Sequence, residues 1–372
     1  MRELVAVDLA GGVDFVHALQ QIWDDGDAAL PIDQRLAPDD RAQLADSMRA
    51  HWVIHPTGRS RLDGGLATEP GDALVVTTSG STGEPKGVVL THDAVAASAE
   101  ATSRRLSITP DDHWLACLPL SHVGGLSVVT RALHAGTRLT VLPRFDPVSV
   151  TSAALSGATH TSLVTAALLR IDPSIFRCIV LGGAAPPESR PANTVVTYGM
   201  TETGSGVTYD GVPLDGVEVR IDDDGQILLR CPMMLRSYRD GSTPVDADGW
   251  LHTNDLGTLL ADGRVHVHGR RGDVIITGGE NVWPEQVEGA LAQHPGVRDV
   301  GVSGLADAQW GHIVAAWIVP NDSSNPPTLD ELRSYLGDRL AGFMAPRSIF
   351  VVESLPRTSL GKLRRTELPH LR

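Results

Sequence analysis

The chain has 372 residues, with 31 Lys and Arg against 45 Asp and Glu and a formal net charge of −14. That length allows two or three domains around a substantial buried core, and the acidic balance argues against nonspecific nucleic-acid binding, which needs a basic face. No run is long and apolar enough to span a bilayer, and the opening Met1-Arg2-Glu3-Leu4 lacks a charged-then-apolar signal layout, so a cytoplasmic protein without membrane insertion is expected.

In chain order, the β-branched run at 74–78 reads as a buried strand. It breaks into Thr78, Ser79, Gly80, Ser81, Thr82 and Gly83, followed by Glu84-Pro85-Lys86-Gly87. Glycines let several backbone N–H groups point at one anion, the hydroxyls add donors and Lys86 adds charge, which together make a phosphate cradle. It is not a Walker loop, because no Gly-Lys-Ser/Thr step exists. An ordinary Gly/Ser turn is the bland alternative. Thr91 can cap a helix at 94–105, with Asp93 in its first turn. Segments 113–118, 138–142 and 176–181 read as strands separated by Ala- and Leu-rich helical stretches, an alternation that argues for an α/β architecture. Asp146 and Pro147 read as the cap and first turn of a further helix. From about 210 to 269, short strands and turns such as Asp223-Asp224-Gly225 and Asp262-Gly263 predict a β-rich part. Beyond Gly269 a compact α/β unit follows: a helix at 284–294, strands near 297–302 and 313–319, a polar loop at 321–327 and a helix at 329–340. A large domain at 1–269 and a small one at 270–372 are expected, with the boundary at 270–272.

Two positions stand out chemically. Of the 31 basic side chains only Lys86 and Lys362 are lysine, and each lies in a glycine-containing stretch. A compact ammonium is not interchangeable with a planar guanidinium fork. Arg364 and Arg365 follow Lys362, so a surface basic tail is the competing reading there. Cys117, Cys178 and Cys231 are odd in number and widely spaced, which suits buried, inert thiols better than a disulfide framework or a zinc site. His113, His134 and His160 show no metal-ligand spacing.

Residues 78–87 resemble the phosphate loop of adenylate-forming enzymes, the family of acyl-CoA ligases, peptide-synthetase adenylation domains and firefly luciferase. Further stretches follow in family order. Leu181-Gly182-Gly183-Ala184-Ala185 resembles the adenine-contacting turn, and Tyr198-Gly199-Met200-Thr201-Glu202-Thr203 the Tyr-Gly-x-Thr-Glu motif. Trp250-Leu251-His252-Thr253-Asn254-Asp255 resembles the ribose-binding motif, with Asn254 where the family usually has Gly. Gly269-Arg270-Arg271-Gly272-Asp273 resembles the interdomain hinge, with Gly272 where Asp or Lys is usual. Pro356-Arg357-Thr358-Ser359-Leu360-Gly361-Lys362 resembles the catalytic-lysine loop. The resemblance covers about 75–365. It implies the adenylate-forming fold, a large N-terminal α/β domain with a β-rich subdomain plus a small mobile C-terminal α/β domain. Members usually carry more sequence before the phosphate loop, so a chain shortened at its start is expected.

The resemblance also implies ATP, Mg²⁺ and coenzyme A, acting on a small-molecule carboxylic acid. Lys86 and the loop from Thr78 to Gly83 would hold the β- and γ-phosphates. Gly182, Gly183, Ala184, Tyr198, Gly199, Met200 and Thr201 would surround the nucleotide, with Tyr198 packed on adenine. Glu202, with Thr78, would hold Mg²⁺, a hard cation that suits a carboxylate and a hydroxyl. Asp255 and Arg270 would take the ribose. Lys362 would meet the α-phosphate and the attacking carboxylate. His122 and Gly124, in Pro119-Leu120-Ser121-His122-Val123-Gly124-Gly125, resemble an acyl-pocket segment, although a packed core histidine fits nearly as well. Gly278 and Gly279, followed by Glu280-Asn281, resemble ligases whose acceptor is CoA. The early start, the segments at 118–127 and 275–284 and the family order most resemble the o-succinylbenzoate–CoA ligases of menaquinone synthesis. A CoA ligase for another aromatic or fatty acid, a stand-alone amino-acid adenylating enzyme and a non-catalytic nucleotide-binding homologue stay open, as does homo-oligomer formation.

Overall fold

The computed structural model describes residues 2–79, 85–183, 190–357 and 363–371. Its first sheet is seven-stranded, with Ser237–Tyr238 at one edge and Gly58–Arg61 at the other. The strands Asp72–Ser79 and Pro85–Thr91 pair antiparallel, which sets Thr78 opposite Lys86. Their apolar run is continuous because both faces are covered: Leu74, Val75, Val76, Val88, Val89 and Leu90 are all buried. The first sixty residues gave no predicted element. They supply Leu4–Val7, Ala28–Pro31, Trp52–His55 and Gly58–Arg61 to this same sheet.

The second sheet is also seven-stranded. Strands His113–Ala116, Arg138–Val141, His160–Leu163, Cys178–Leu181 and Thr194–Met200 run parallel, and Ser205–Tyr209 and Val212–Pro213 close it antiparallel. Helices His92–Arg105 and Val123–Ala135 pack on each other, the former against the phosphate strands and the latter against the second sheet. Thr91 caps the first of these by accepting from Ala94 N at 3.1 Å, and Asp146 caps Pro147–Leu155 by accepting from Ser149 N at 2.8 Å. The three predicted strands are shorter than read, ending or starting within a few residues of the sheet's hydrogen-bonded ladder. Cys117 and Cys231 are buried and Cys178 is half-buried, all three as free thiols. Burial pushes the Cys117 and Cys231 thiols up to about 11.

A four-stranded antiparallel sheet follows: Glu218–Ile221, Gln226–Arg230, Leu251–Leu259 and Val265–Arg270. It opens at Glu218, because Val212–Pro213 belongs to the second sheet. Ser237–Tyr238, inside the same turn-rich segment, returns to the edge of the first sheet opposite Val88 and Val89. Beyond the turn Arg271–Asp273 lies a separate core that includes Val287, Leu291, Val302, Ile318, Leu332 and Leu336. Here Val297–Asp307 and Gly311–Pro320 form a hairpin longer than the sequence predicts. The helices Pro284–Leu291 and Leu329–Leu336 are shorter. Their predicted last turns tighten instead into i→i+3 bonds, His294 N to Leu291 O and Arg339 N to Leu336 O. Among the described residues no helix is long and apolar enough to cross a membrane.

Arg365, which the sequence leaves in a basic tail, is instead buried, with its side chain 12% exposed. It pairs with Glu285 at 2.8 Å, with Glu288, and with Asp273 at 3.6 Å. Burial pushes the Glu288 carboxyl up and Arg365 pulls it back down. Arg365→Met leaves these acids without their cation, and breaking such a buried network costs about 3–5 kcal/mol. Glu288 then holds its proton to higher pH in the folded than in the unfolded state. The deficit should therefore be largest at alkaline pH, where Glu288 is ionised, and shrink as pH falls through the raised folded value. Urea titrations of both proteins across pH check this, and a small, pH-independent deficit would contradict it.

Candidate active site

Glu202 sits in the short turn Thr201–Thr203. The turn is fixed by Thr203, fully buried, whose hydroxyl accepts from Met200 N at 3.1 Å and donates to Ser205 O at 2.8 Å. Leu235 N also donates to the Glu202 carbonyl at 2.7 Å. The Glu202 side chain accepts a hydrogen bond from the Tyr238 hydroxyl at 2.9 Å. Over the ring of the same tyrosine, 4.9 Å from its centroid, stands the Lys86 ammonium. Lys86 is exposed and Thr78, across the ladder from it, is half-buried. Two residues 116 positions apart in the chain thus meet at one aromatic side chain, Tyr238, which no sequence motif marks. Gly80, Ser81, Thr82, Gly83, Ala184 and Lys362 lie outside the described residues.

A second cluster centres on Asp255, which is 7% exposed. The Tyr198 hydroxyl donates to its carboxylate at 2.9 Å, and Arg270 approaches at 3.4 Å. Burial, and next the Asp255 charge, hold the Tyr198 hydroxyl well above its usual range. Asp255 follows a bulge in Leu251–Leu259, where Ile227 O accepts from the Thr253 hydroxyl at 2.7 Å. The turn of chain is made by Asn254 at φ 59°. That left-handed conformation explains why Asn can replace the family's Gly, since Asn is among the few side chains that tolerate it. At Gly199 the constraint is space: a Cβ would lie 2.2 Å from Ser205 O. Arg270 also acts on Tyr238, lowering its proton affinity against the larger effects of burial and Glu202. The charge of Arg270, in the second group, is thus felt at Tyr238 in the first.

A cleft of about 850 Å³ opens beside Asp255. It collects Gly183, Tyr198, Gly199, Asp255 and Arg270 from the large unit, and Glu285 from beyond the turn at 271–273. Gly182 stands at its border, where an added Cβ would lie 3.1 Å from Thr197 Oγ1. Met200 and Thr201 continue from the same strand end.

His122 and Gly124 do not line this cleft. His122 starts the helix Val123–Ala135 and is not packed in the core. Arg35 donates to its Nε2 at 2.9 Å, and Asp33 lies 3.4 Å away. Burial pushes the Asp33 carboxyl up, but the neighbouring His122 and the hydrogen bonds from Arg35 outweigh it and hold the group far below the usual carboxylate range. Gly278 and Gly279 lie elsewhere again, at the tip of the hairpin joining Ile275–Thr277 to Glu280–Val282. Their φ values of 60° and 89° are those of a two-residue type I′ turn, and this alone calls for glycine.

A family model of the AMP-binding enzyme matches residues 65–239, and one of the AMP-binding enzyme C-terminal domain matches residues 286–362. A probable 2-succinylbenzoate–CoA ligase of Mycobacterium tuberculosis is 41% identical over 321 residues, covering 80% of this chain and 83% of that protein. A 2-succinylbenzoate–CoA ligase of Bacillus cytotoxicus is 35% identical over 337 residues, covering 80% of this chain and 69% of that one. Among solved structures, the o-succinylbenzoate CoA synthetase of Bacillus subtilis, in complex with its acyl-adenylate intermediate, superposes with a TM-score of 0.87 at 28% identity, covering 100% of this chain and 88% of that one. With Gly183, Tyr198, Asp255 and Arg270 lining one cleft and an alignment of this extent, the chain belongs to the AMP-binding, adenylate-forming enzyme family.

Proposed function

We propose that this chain is an AMP-forming ligase that joins 2-succinylbenzoate to coenzyme A. The observations that carry the chemistry are the meeting of Lys86 and Glu202 at Tyr238 and the pairing of Asp255 with Tyr198 and Arg270 at the cleft. The acyl identity rests on the likeness to 2-succinylbenzoate–CoA ligases.

In the first step a carboxylate oxygen attacks the α-phosphorus of ATP, the bond to the β-phosphate breaks and pyrophosphate leaves. Both reactants are anions, so the protein must supply positive charge and alignment. In this reading Lys86 takes the β- and γ-phosphates. Glu202 and the Thr78 hydroxyl would hold Mg²⁺, and these hard oxygen donors suit it. That ion, when bound, neutralises charge on the phosphate oxygens. Asp255, oriented by Tyr198 and Arg270, accepts from the ribose hydroxyls. Lys362 approaches the α-phosphate and the attacking carboxylate, and His122 with Gly124 borders the acyl group. In the second step the CoA sulfur attacks the acyl carbonyl, AMP departs and the thiol proton passes to solvent. We place the domain boundary at 270–272. Rotation there withdraws Lys362 and brings the Gly278–Gly279 turn toward the incoming pantetheine.

Three measurements test this reading. Pyrophosphate release should be fastest with 2-succinylbenzoate among a panel of benzoates, fatty acids and amino acids, and preference for another acid would replace the acyl assignment. Lys86→Ala should raise the KM for ATP far more than that for the acid, with the loss falling mainly in kcat/KM for ATP. Unchanged ATP kinetics would remove Lys86 from the phosphate site. Lys362→Ala should slow adenylate formation by orders of magnitude, each tenfold being about 1.4 kcal/mol of barrier. Given presynthesised acyl-adenylate and CoA, the same variant should make thioester at close to the parent rate. Equal collapse of both steps in a folded variant would show that Lys362 is not specific to the first.

A further inference from the structure

Tyr238 belongs to none of the motifs that mark the family resemblance above, yet it touches both the Lys86 ammonium and the Glu202 carboxylate. Its backbone is clamped to the strand that carries Lys86. Arg236 N donates to Val89 O at 2.9 Å, and Arg239 N donates to Gly87 O at 2.7 Å. The flanking side chains anchor the segment from both ends. Arg236 makes a two-point ion pair, at 2.8 and 2.9 Å, with Asp72, a carboxylate 2% exposed. Arg239 donates to Met48 O at 3.1 Å and to Ala67 O at 3.0 Å. A two-residue strand held this firmly presents its tyrosine in a fixed place.

Lys86 and Glu202 carry opposite charges on the same side of the sheet, and no ion pair joins them. Tyr238 meets the ammonium with its ring face and the carboxylate with its hydroxyl. An ammonium over an aromatic face is held by the negative face of the ring, and a hydroxyl donating to a carboxylate fixes that group's rotation. We propose that Tyr238 is a positioning residue: it holds Glu202 with one oxygen turned to the cation site, and it keeps Lys86 from collapsing onto that carboxylate before ATP arrives. This rests on the assignment of Lys86 and Glu202 to phosphate and Mg²⁺ given above.

The test separates the two contacts. Tyr238→Phe keeps the ring and loses the hydroxyl, while Tyr238→Leu loses both. Calorimetric titration with ATP should show Tyr238→Phe binding about tenfold more weakly in Mg²⁺, the worth of one hydrogen bond to a charged group, with binding in EDTA nearly unchanged. Tyr238→Leu should weaken binding in both buffers, because Lys86 is then free to pair with Glu202. On a Glu202→Gln background Tyr238→Phe should add little further loss, since its effect passes through that carboxylate. Equal weakening with and without Mg²⁺, or the same penalty on the Glu202→Gln background, would reduce Tyr238 to packing. If Tyr238→Leu does not fold, the Phe and Gln variants decide alone. Because the readout is ATP binding, it stands even if 2-succinylbenzoate proves not to be the acid. A parent protein that binds Mg·ATP but adenylates nothing would overturn the function and leave the Tyr238 result intact.

Discussion

The arrangement of the large unit depends on one buried carboxylate. Asp255 is nearly sealed from solvent, and an ionised group in that position is tolerable only when it is paired and hydrogen-bonded. Its partners come from separate elements. Tyr198 reaches it from the second sheet, and Arg270 from the last residue of the third sheet's final strand. The residue after Arg270 begins the turn that leads into the second core. Satisfying Asp255 therefore fixes the second sheet, the third sheet and the start of the Arg271–Asp273 turn with respect to one another. The bulge at Asn254 makes this geometry available, because a regular strand would aim residue 255 differently.

A net charge of −14 runs against the needs of an enzyme whose reactants are all anions. The conflict is one of distance. At physiological ionic strength charges more than about 8 Å apart are largely screened, so the acidic surface has little say at the reacting atoms. What governs there is the local set of Lys86 and Arg270, and Lys362 in the proposed mechanism.

Much of this could be read from the chain, and the limits have physical causes. The phosphate strand was legible because burial on both faces leaves an unbroken β-branched run. The caps at Thr91 and Asp146 were legible because they act within three residues. Motif order pointed to the fold, although the first sixty residues, which carry no motif, proved to complete the first sheet. Tyr238 was hidden: its strand is two residues long, has no periodicity to detect, and meets a partner 36 residues away. Arg365 was misplaced for a similar reason, since the carboxylates that bury it lie 77 and 80 positions earlier. Local sequence there shows only a run of positive charge. For Gly278 and Gly279, the type I′ turn supplies a sufficient reason for glycine that does not depend on any ligand.

An enzyme that makes acyl-adenylates must also live beside them. Such mixed anhydrides acylate whatever good nucleophile they meet, and in proteins these are chiefly thiolates and unprotonated amines. This chain offers few of either. Burial holds Cys117 and Cys231 at about 11 and pushes Cys178 up as well, so at neutral pH these thiols stay protonated. Arginine, which supplies 29 of the 31 basic side chains, stays protonated and does not act as a nucleophile. A leaked intermediate would find almost nothing on its own maker to modify, and its surest route is hydrolysis or the acceptor thiol.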